Sequence, residues 1–589
     1  MIDSIPARLK DLGTSPQSQN SIAYNYKENG SWIEHSFGQY YNETLRFAKA
    51  LLSLDFNLED KISILAFNRP EWVISDLGTM MAGGIPAGIY QTCSPEEVAY
   101  IISHSESKVV VVENEEQWNK VNQFREQFKQ LQKIVLMRGC SVGAEDPQTI
   151  QWEDFLALGS EIDDHKITER LEELTPNQPA TFIYTSGTTG PPKAVMLSHE
   201  NLTFTADKAV ELVDLNSSDC TLSYLPLSHI AEQVFSIHGP ITAGSSIYFA
   251  EDLDKVRENL VEVQPTVFFG VPRIWEKFFA KIQLSLGELP WHKAKLFQWA
   301  SGVGKNYHNH KNKGLPGSIF LRSQYKLAKK LAFNKAKKKI GLGRAKICVS
   351  GAAPISAEIL EFMSGLDVVI REVYGQSEDT GPTSFNQPGA TQFGSVGPIF
   401  PGVEVKIAED DEILVRGKNV FLGYYKDEEA TQKTVIDGWL HSGDLGKFDE
   451  NGYLYIIGRK KEIIITAGGK NISPKNIESD LKDLPLVSQA VVIGDKRKFL
   501  SALITLDLEI LGTRSFTEPA HEDSQIIKEI QDGVDAMNKR LARVENIRKF
   551  RVLPRDFSID KGELTPTLKI KRRIIYDNWA EEIDQLYED

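Results

Sequence analysis

Continuous apolar runs alternate with helical patterns through the first half of the chain. Residues 61–66 and 108–112 are such runs, and a helical pattern precedes each of them, at 47–52 and in the stretch that ends near Ser105. Apolar strands separated by helices are typical of parallel sheets that helices cover on both faces. The same pattern recurs at 247–250, 266–270 and 346–350. It predicts an α/β fold in which doubly wound sheets form a large N-terminal domain.

The pattern changes after Ser395, where short alternating strands replace the buried runs. Val403, Val405 and Ile407 alternate with polar residues, and a turn at 449–452 precedes another strand pattern. Alternation with a period of two and a hairpin-type turn indicate antiparallel strands. We therefore predict a small β-barrel-like subdomain at about 390–457.

A second boundary falls at the basic stretch that begins with Arg459. Beyond it, Ser473 and Pro474 open a helix as N-cap and first helical residue, and two strands and a polar helix follow. This order predicts a small α+β domain at 459–589, and it leaves 1–458 to the large domain.

The net charge of the chain is −14, from 67 basic and 81 acidic residues. This balance argues against a surface that binds nucleic acid throughout, and the ordinary share of apolar residues excludes a disordered chain. The charge is unevenly distributed, because residues 289–357 contain fifteen Lys and Arg and no Asp or Glu. We call this stretch the basic belt.

The basic belt contains a helical stripe of apolar residues between cations. The stripe is Leu321, Tyr325, Ala328 and Ala332, widened by Leu327 and Leu331, and the cations are Arg322, Lys326, Lys329 and Lys330. Such a helix either rests on anionic lipid or packs its apolar face on the protein core and leaves its lysines in water. The sequence leaves both alternatives open.

The cysteines and the apolar runs indicate a cytoplasmic protein. The four cysteines lie far apart, without the spacing of a metal site, and the start of the chain has no pattern of a signal peptide. The most membrane-like run, at 72–90, contains Asp76 and Pro86 and is interpreted as a buried helix, turn and strand. We expect a reducing, cytoplasmic environment, with contact to an anionic membrane through 289–357 as the open alternative.

A strand at 181–184 leads into a loop rich in hydroxyl groups and glycine. The loop is Thr185, Ser186, Gly187, Thr188, Thr189 and Gly190, and Lys193 follows it. Backbone N–H groups, hydroxyl donors and a cation together suit a polyphosphate. The spacing of the two glycines and Ala194 after the lysine do not match the P-loop of the Walker type. A flexible surface turn is the alternative interpretation.

This loop resembles the phosphate-binding motif of the adenylate-forming enzymes, and further motifs follow in the order of that family. They lie at 225–230, 351–354, 374–378, 439–444, 458–462 and 562–572. The resemblance covers about 20–589 and is nearest to the long-chain fatty acyl-CoA synthetases of the bubblegum type, through 225–231, 270–277 and 555–559. One departure is Ala194, where the family usually has glycine.

The resemblance implies a reaction in two halves. A fatty acid carboxylate attacks the α-phosphorus of ATP, pyrophosphate leaves, and the thiol of CoA then displaces AMP from the acyl-adenylate. The implied catalytic residues are Lys569, Thr185, Glu378 and His229. The implied nucleotide-binding residues are Thr185, Ser186, Gly187, Thr188, Thr189, Gly190, Lys193, Gly351, Ala352, Ala353, Pro354, Tyr374, Gly375, Gln376, Ser377, Asp444, Arg459 and Lys569.

Individual roles follow from the same resemblance. Lys569 would bridge the carboxylate and the α-phosphate, and Glu378 would hold Mg²⁺, because this cation prefers carboxylate and phosphate oxygens. Tyr374 would offer its ring to adenine, and Asp444 would accept from the ribose hydroxyls beside Arg459. His229 either closes the acyl pocket or positions the carboxylate, or it is a core histidine.

The two halves of the reaction need different groups at one centre. The resemblance implies that the small domain is mobile and turns about Lys461, so that Lys569 faces ATP first and the loop Gly468, Gly469 and Lys470 faces the CoA arm afterwards. The acyl pocket is expected near 234–241, 267–271 and the strand of Tyr374. An acyl carrier protein as acceptor and a lipid-binding protein without catalysis are the alternatives. The sequence gives no oligomeric state.

Overall fold

The computed structural model describes residues 2–142, 146–185, 191–467, 470–512, 519–565 and 569–588. In the first part of the chain, strands and helices alternate as predicted. In chain order the elements are α1 (Ile5–Thr14), β1 (Ile22–Glu28), β2 (Ser31–Ser36), α2 (Phe37–Leu52), β3 (Lys61–Leu65), α3 (Pro70–Met81), β4 (Ile85–Ile89), α4 (Pro95–Ser105), β5 (Val109–Val112), α5 (Glu115–Asn122), β6 (Lys133–Leu136), β7 (Thr149–Gln151), α6 (Trp152–Ala157), α7 (Asp164–Glu173) and β8 (Pro179–Thr185).

The middle of the chain continues this alternation and then inserts a group of helices. The elements are β9 (Lys193–Ser198), α8 (His199–Val213), β10 (Cys220–Ser223), α9 (Ile230–Gln233), α10 (Gly239–Ala243), β11 (Ser246–Phe249), α11 (Val256–Val263), β12 (Val267–Gly270), α12 (Pro272–Gly287), α13 (Trp291–Asn312), α14 (Ile319–Ala328), α15 (Asn334–Lys339), β13 (Ile347–Ser350), α16 (Ala357–Ser364), β14 (Ile370–Tyr374) and β15 (Ser384–Phe385). A π-helical segment, Val234–His238, joins α9 to α10, and another, Lys329–Phe333, joins α14 to α15.

Short strands then dominate up to residue 459. They are β16 (Val403–Ile407), β17 (Glu412–Gly417), β18 (Gly423–Tyr424), β19 (Val435–Ile436), β20 (Trp439–Phe448) and β21 (Leu454–Arg459), with α17 (Glu428–Thr434) between β18 and β19. The strands β16, β17, β20, β19 and β21 form one antiparallel sheet, which we call the middle sheet. The predicted hairpin turn at 449–452 joins β20 to β21.

The C-terminal part is a small α+β unit. Its elements are β22 (Ile464–Ile465), β23 (Asn471–Ile472), α18 (Pro474–Lys482), β24 (Val487–Ile493), β25 (Leu500–Leu506), α19 (Leu508–Leu511), α20 (Ser524–Asn538), β26 (Ile547–Val552), α21 (Arg572–Asn578) and α22 (Ala580–Gln585). The strands β24, β25 and β26 form its sheet, and α18 and α20 pack on it through a separate apolar core.

Two eight-stranded sheets form the large domain. Their strand orders are β15-β14-β13-β12-β10-β11-β1-β2 and β18-β9-β8-β4-β3-β5-β6-β7. The strands at the centre of each sheet run parallel. Antiparallel strands lie at both edges of the first sheet and at the β18–β9 edge of the second, whereas β7 at the other edge pairs parallel with β6. Helices such as α2, α3 and α8 bury their apolar faces between the two sheets. The α/β class with doubly wound sheets and a smaller C-terminal domain is thus confirmed.

The run at 72–90 is a helix, turn and strand, as predicted, and it is buried from 72 to 89. Among the residues that the structure describes, no helix combines the length and the apolar character needed to cross a membrane. The four cysteines are buried and free.

Candidate active site

A cavity of about 1670 Å³ lies where the large domain, the middle sheet and the C-terminal domain meet. Small-molecule sites usually occupy about 300–1,000 Å³, so this cavity has room for more than one substrate. One part is lined by polar and charged residues from the predicted motifs, and the other is lined by apolar residues of α8, α9, α10 and the sheet below them.

The two ends of the predicted phosphate loop border the polar part of the cavity. Thr185 ends β8 and lies opposite Lys193 in the neighbouring strand β9, and both residues line the cavity. The Lys193 ammonium donates a hydrogen bond of 2.8 Å to Asp427 and lies over the Tyr424 ring. The residues between them, Ser186, Gly187, Thr188, Thr189 and Gly190, lie outside the described residues.

The predicted adenine segments lie side by side at the ends of β13 and β14. Gly351 follows β13, and Ala352, Ala353 and Pro354 line the cavity together with Tyr374, Gly375, Gln376 and Ser377. Gly375 has to be glycine, because a Cβ at this position would lie 1.4 Å from the Gly381 carbonyl oxygen. The buried Nε2 of Gln376 has no hydrogen-bond partner among the described residues, so a donor is left for a ligand.

A buried carboxyl holds the loop that follows Tyr374. Asp379 accepts a hydrogen bond of 2.8 Å from the Gln376 N–H and another from the Thr383 hydroxyl. Burial raises the pKa of Asp379 to about 8. The carboxyl can therefore remain protonated near neutral pH, and the loop is held without a negative charge beside the cavity.

Asp444 connects the large domain to the middle sheet. The Tyr374 hydroxyl donates to Oδ2 of Asp444 over 2.9 Å, and Arg459 Nε donates to Oδ1 over 3.1 Å. Asp444 and Arg459 are direct partners in the β20–β21 ladder, which fixes their distance. A carboxylate has lone pairs for about four hydrogen bonds, so Asp444 can still accept from two ligand hydroxyls.

Glu378 lies in a short 3₁₀ turn beside Tyr374 and lines the cavity. Oε1 of Glu378 accepts a hydrogen bond of 2.8 Å from the Tyr424 hydroxyl. No group of three or more His, Cys, Asp or Glu side chains gathers anywhere in the described part of the chain. A single carboxylate fits Mg²⁺ that is held mainly by substrate phosphates, because this cation needs only one or two protein carboxylates.

Lys569 reaches the same cavity from the C-terminal domain. Its backbone is fixed by hydrogen bonds with Thr565, from the Lys569 N–H to Oγ1 and from the Thr565 N–H to the Lys569 carbonyl. The residue is exposed to the solvent of the cleft, and segments of the large domain, the middle sheet and the C-terminal domain form the cavity walls around it. Burial, followed by repulsion from Arg459 and Lys475, lowers the pKa of Lys569 to about 8.

Lys475, which the motifs did not indicate, is a further cation of the cavity wall. It follows Pro474 in the first turn of α18, where the positive end of the helix dipole repels a cation. Burial and the charge of Arg459 lower its pKa. The sequence contains a signal for this site, because a lysine in the first turn of a helix, directly after the Ser-Pro pair that opens it, is unfavourable unless an anion lies nearby.

His229 also lines the cavity, at the place where the polar and apolar parts of the cavity meet. It caps α9, and its Nδ1 accepts a hydrogen bond of 3.2 Å from the Ala231 N–H. Burial and, secondarily, the charge of Lys569 lower the pKa of His229 to about 3. The ring is therefore neutral, and its proton is on Nε2, which can donate to a ligand. The structure supports a cavity residue over a core histidine.

Glu232 fixes the segment that carries His229, and the motifs did not indicate it. Its Oε1 accepts hydrogen bonds from the hydroxyls of Ser223 and Ser236, over 2.8 and 2.7 Å, and from the Tyr224 N–H. Burial raises the pKa of Glu232 to about 8. This network ties α9 and the π-helical segment to the end of β10.

The predicted hinge residue lines the cavity, whereas the described residue of the predicted CoA-side loop does not. Lys461, in a 3₁₀ turn between β21 and β22, lines the cavity and is exposed. Lys470 is exposed and does not line the cavity, whereas Gly468 and Gly469 lie outside the described residues. With Lys569 in the cavity and Lys470 away from it, the arrangement corresponds to the one expected for the first half-reaction.

The apolar part of the cavity runs along the sheet below α8 and α9. Its lining includes Phe235 and Phe269, whose rings stack at 4.7 Å, and Val349 and Val373. At the far end it reaches Leu215, Cys220, Ser245, Val267 and Ile347. Cys220 and Ile347 begin their strands, while the polar part lies where β13 and β14 end. The apolar arm therefore runs along the strands, from their carboxyl ends to their amino ends. Its walls include the segments expected to form the acyl pocket.

Comparison with known proteins identifies the class of this site. Residues 14–425 match the AMP-binding enzyme family, and residues 461–589 match the C-terminal domain of AMP-binding enzymes. The chain therefore belongs to the AMP-binding enzyme family, and the resemblance predicted from the motifs is confirmed. The exact domain boundaries at 458 and 459 stay a prediction.

Two groups of curated relatives cover nearly the whole chain. The long-chain-fatty-acid–CoA ligase ACSBG2 of Xenopus laevis is 38% identical, with 96% of this chain and 82% of the relative covered. The ligase ACSBG1 of Homo sapiens is 36% identical, with 96% and 83% covered. The crystal structure of the anthranilate CoA ligase AuaEII in complex with anthranoyl-AMP shares the fold, with a TM-score of 0.76 at 21% identity over 99% of this chain and 98% of that one.

Proposed function

We propose that the protein is an AMP-forming ligase that uses ATP to activate a long-chain fatty acid and transfers the acyl group to CoA. The observation that carries the proposal is one continuous cavity, in which a polar nucleotide-sized part meets an apolar arm at His229 and Lys569. The relatives named as long-chain-fatty-acid–CoA ligases support the choice of substrate.

The polar part would bind ATP through groups on four segments. Gln376 Nε2 and the turn at 351–354 would contact the base, and the ring of Tyr374 would lie against it. Asp444, oriented by Tyr374 and Arg459, would accept from the two ribose hydroxyls. Thr185 and Lys193 would border the phosphates. Lys193 would give up its hydrogen bond to Asp427 and bind the phosphates instead.

In the first half-reaction two anions must approach each other. The carboxylate oxygen forms a bond to the α-phosphorus, and the bond to the pyrophosphate oxygen breaks. Lys569 would lower the repulsion and stabilise the charge that spreads over the phosphoryl oxygens, and Arg459 and Lys475 would add to this positive field. His229 Nε2–H would hold the carboxylate in line.

Glu378 would hold Mg²⁺ beside the phosphates, where the cation would screen their negative charge. The role of the chain is to orient the carboxylate, which the Tyr424 hydroxyl does through its hydrogen bond to Oε1.

In the second half-reaction the CoA sulfur would form a bond to the acyl carbonyl carbon, and AMP would leave. The small domain would turn about Lys461 and withdraw Lys569, and the loop that includes Lys470 would approach. Lys569 lines the cavity in the present arrangement, so its withdrawal would free part of the cavity wall for the groups of the second step.

Fatty-acid-dependent exchange of pyrophosphate into ATP tests the proposal. The acids would range from short to long chains, and the products with CoA and with a phosphopantetheinyl carrier protein would be identified. Exchange with long acids and acyl-CoA as product are expected, and a Lys569→Met variant should lose exchange while Lys561→Met, an exposed lysine of the same domain, keeps it. Exchange without acyl-CoA but with acylated carrier protein would support that acceptor, and no exchange with any acid would support lipid binding alone.

A further inference from the structure

Large apolar side chains are exposed at the turn between α13 and α14. In this turn and the start of α14, which we call the hairpin tip (residues 313–320), the exposed fractions are 54% for Leu315, 84% for Ile319 and 71% for Phe320. Side chains of this size rarely point into water together without a partner.

The four central residues of the apolar stripe predicted on α14 are not part of this surface. Leu321, Tyr325 and Ala332 pack with the buried Ala328 and Phe333 against Ala300 and Val303 of α13, so packing on the protein is the correct alternative for these residues. The two leucines that widen the stripe are exposed instead: Leu327 and Leu331, 50% and 49% exposed, follow Phe320 at spacings of seven and four residues. These spacings place the three side chains on one outward face.

Cations surround the exposed row. Arg322, Lys326, Lys329 and Lys330 are exposed on α14 and the π-helical segment. Only three of the fifteen belt cations form ion pairs with described residues, Lys305 with Glu361, Lys337 with Asp367 and Lys346 with Asp219. Each of these carboxylates lies outside the belt, so the outward face has cations without local anions.

The hairpin is held in place by one buried carboxylate. Asp367 accepts hydrogen bonds from His308 of α13, Tyr325 of α14 and Lys337 of α15, at 2.9, 2.6 and 3.1 Å. Burial alone would raise its pKa, but the hydrogen bond from His308 and the charge of Lys337 lower the pKa of Asp367 to about 2. The carboxylate stays charged, and the apolar row keeps its outward orientation.

We propose that the hairpin tip and the outward face of α14 dock on an anionic phospholipid bilayer. Leu315, Ile319 and Phe320 enter the boundary between headgroups and acyl chains, and Leu327 and Leu331 continue this contact along the helix. The flanking lysines and Arg322 bind the lipid phosphates and carboxylates. The absence of acidic residues from the belt favours this partner over a protein surface, which would present both signs of charge.

Co-sedimentation of the full-length protein with vesicles tests the docking. Phosphatidylcholine vesicles with phosphatidylserine would be compared with phosphatidylcholine alone, at low and high salt. We expect roughly tenfold stronger binding to the anionic vesicles, weakened by salt. Ile319→Ser/Phe320→Ser and Lys326→Glu/Lys330→Glu should each lose about tenfold in affinity.

Matched controls separate docking from general effects. Lys528→Glu/Lys539→Glu makes the same charge change at exposed lysines of the C-terminal domain, and Leu508→Ser removes another exposed leucine. Both should bind anionic vesicles like the wild type. All variants should keep the wild-type thermal midpoint, which shows that the fold is intact.

Several outcomes would overturn the docking surface. They are no sedimentation of the wild type, equal binding to both vesicle types, or equal losses in the tip variants and their controls. A concentration-dependent dimer that Ile319→Ser/Phe320→Ser dissolves would assign the face to a second copy instead. None of these measurements depends on catalysis, so failure of the proposed ligase activity would leave their interpretation unchanged.

Discussion

Arg273, at the start of α12, donates a hydrogen bond of 2.7 Å to Oδ2 of Asp507, directly after β25. The contact joins the large domain to the C-terminal domain in the arrangement that places Lys569 in the cavity. A second contact lies nearby, where Asp483 of the small domain faces Ser356 of the large domain, and burial raises the pKa of Asp483 to about 7. Contacts of this kind would be broken if the small domain turned.

Removal of the first link should weaken the first half-reaction selectively. Arg273→Ala loses the partly exposed, charge-assisted contact with Asp507 and longer contacts with Ser488 and Glu276. The contact with Asp507 is worth about 1 kcal/mol, which is about a fivefold change in an equilibrium. Pyrophosphate exchange should fall by up to that factor, whereas thioester formation from supplied acyl-adenylate should be unchanged. Arg257→Ala, at an exposed arginine of α11, is the control. Equal losses in both half-reactions would show that the contact does not distinguish the two arrangements.

A proline at the hinge should have the opposite effect. Lys461→Pro restricts the backbone of the turn between β21 and β22, about which the small domain is proposed to rotate. Pyrophosphate exchange should persist, and acyl-CoA formation should fall by at least about tenfold, because rotation comes between the two steps. Lys461→Ala, which leaves the backbone free, should keep both activities. If the proline variant lost both half-reactions equally, the hinge would lie elsewhere.

The first half-reaction should decline as the pH rises through about 8. Burial lowers the pKa of Lys569 to about 8, so the free enzyme loses this ammonium above that pH and retains it below. The value of kcat/KM for ATP in the exchange reaction should therefore fall on the alkaline side. Lys569→Arg should be slower overall, but its activity should not fall in this range, because a guanidinium stays protonated. The same alkaline decline in Lys569→Arg would assign the titration to another group.

Lys475 should contribute to binding of the polyphosphate. In Lys475→Met the side chain keeps its length and loses the charge that lies in the cavity wall near Arg459 and Lys569. The KM for ATP should rise roughly fivefold to tenfold, about 1 kcal/mol, with a smaller change in kcat. The pKa of Lys569 should also rise, because one repelling cation is removed, and the alkaline decline should move to higher pH. Lys482→Met, at the other end of α18, should change neither quantity.

Features that have a local signature in the sequence could be predicted. Runs such as 109–112 are apolar because both faces of a parallel strand are buried. The turn at 449–452 is recognisable because it consists of residues that favour turns. The motif residues Tyr374, Asp444 and Lys569 could be selected as site candidates, and the structure brings them to one cavity.

The rest depends on packing between distant segments. A helical period shows that α14 has apolar rows but does not show which row meets α13, so the stripe of Leu321 and Tyr325 could not be assigned in advance. Lys475 resembles a solvated lysine until the fold places α18 beside the middle sheet. Glu232 resembles an exposed acid until its hydrogen bonds to Ser223 and Ser236 are known.

The length of the apolar arm should set the acyl chain that the enzyme accepts. Ala209 lines the arm near the end of α8, on the side of the sheet where β10 begins and away from the polar part. In Ala209→Phe a ring would fill the far end of the arm without contacting the nucleotide site. Exchange with long acids should fall at least about tenfold, while medium-chain acids keep most of their activity, because a filled cavity excludes only the chain that needs it.

The control for this variant is Ala542→Phe, which adds the same ring at an exposed position of the C-terminal domain. It should leave the chain-length profile unchanged. An Ala231→Phe variant, two residues after His229, should instead impair acids of every length, since Ala231 lines the cavity beside the residue where the polar and apolar parts meet. If Ala209→Phe also lowered exchange equally for short and long acids, the acyl chain would not extend along α8, and the arm would have to serve another part of the reaction.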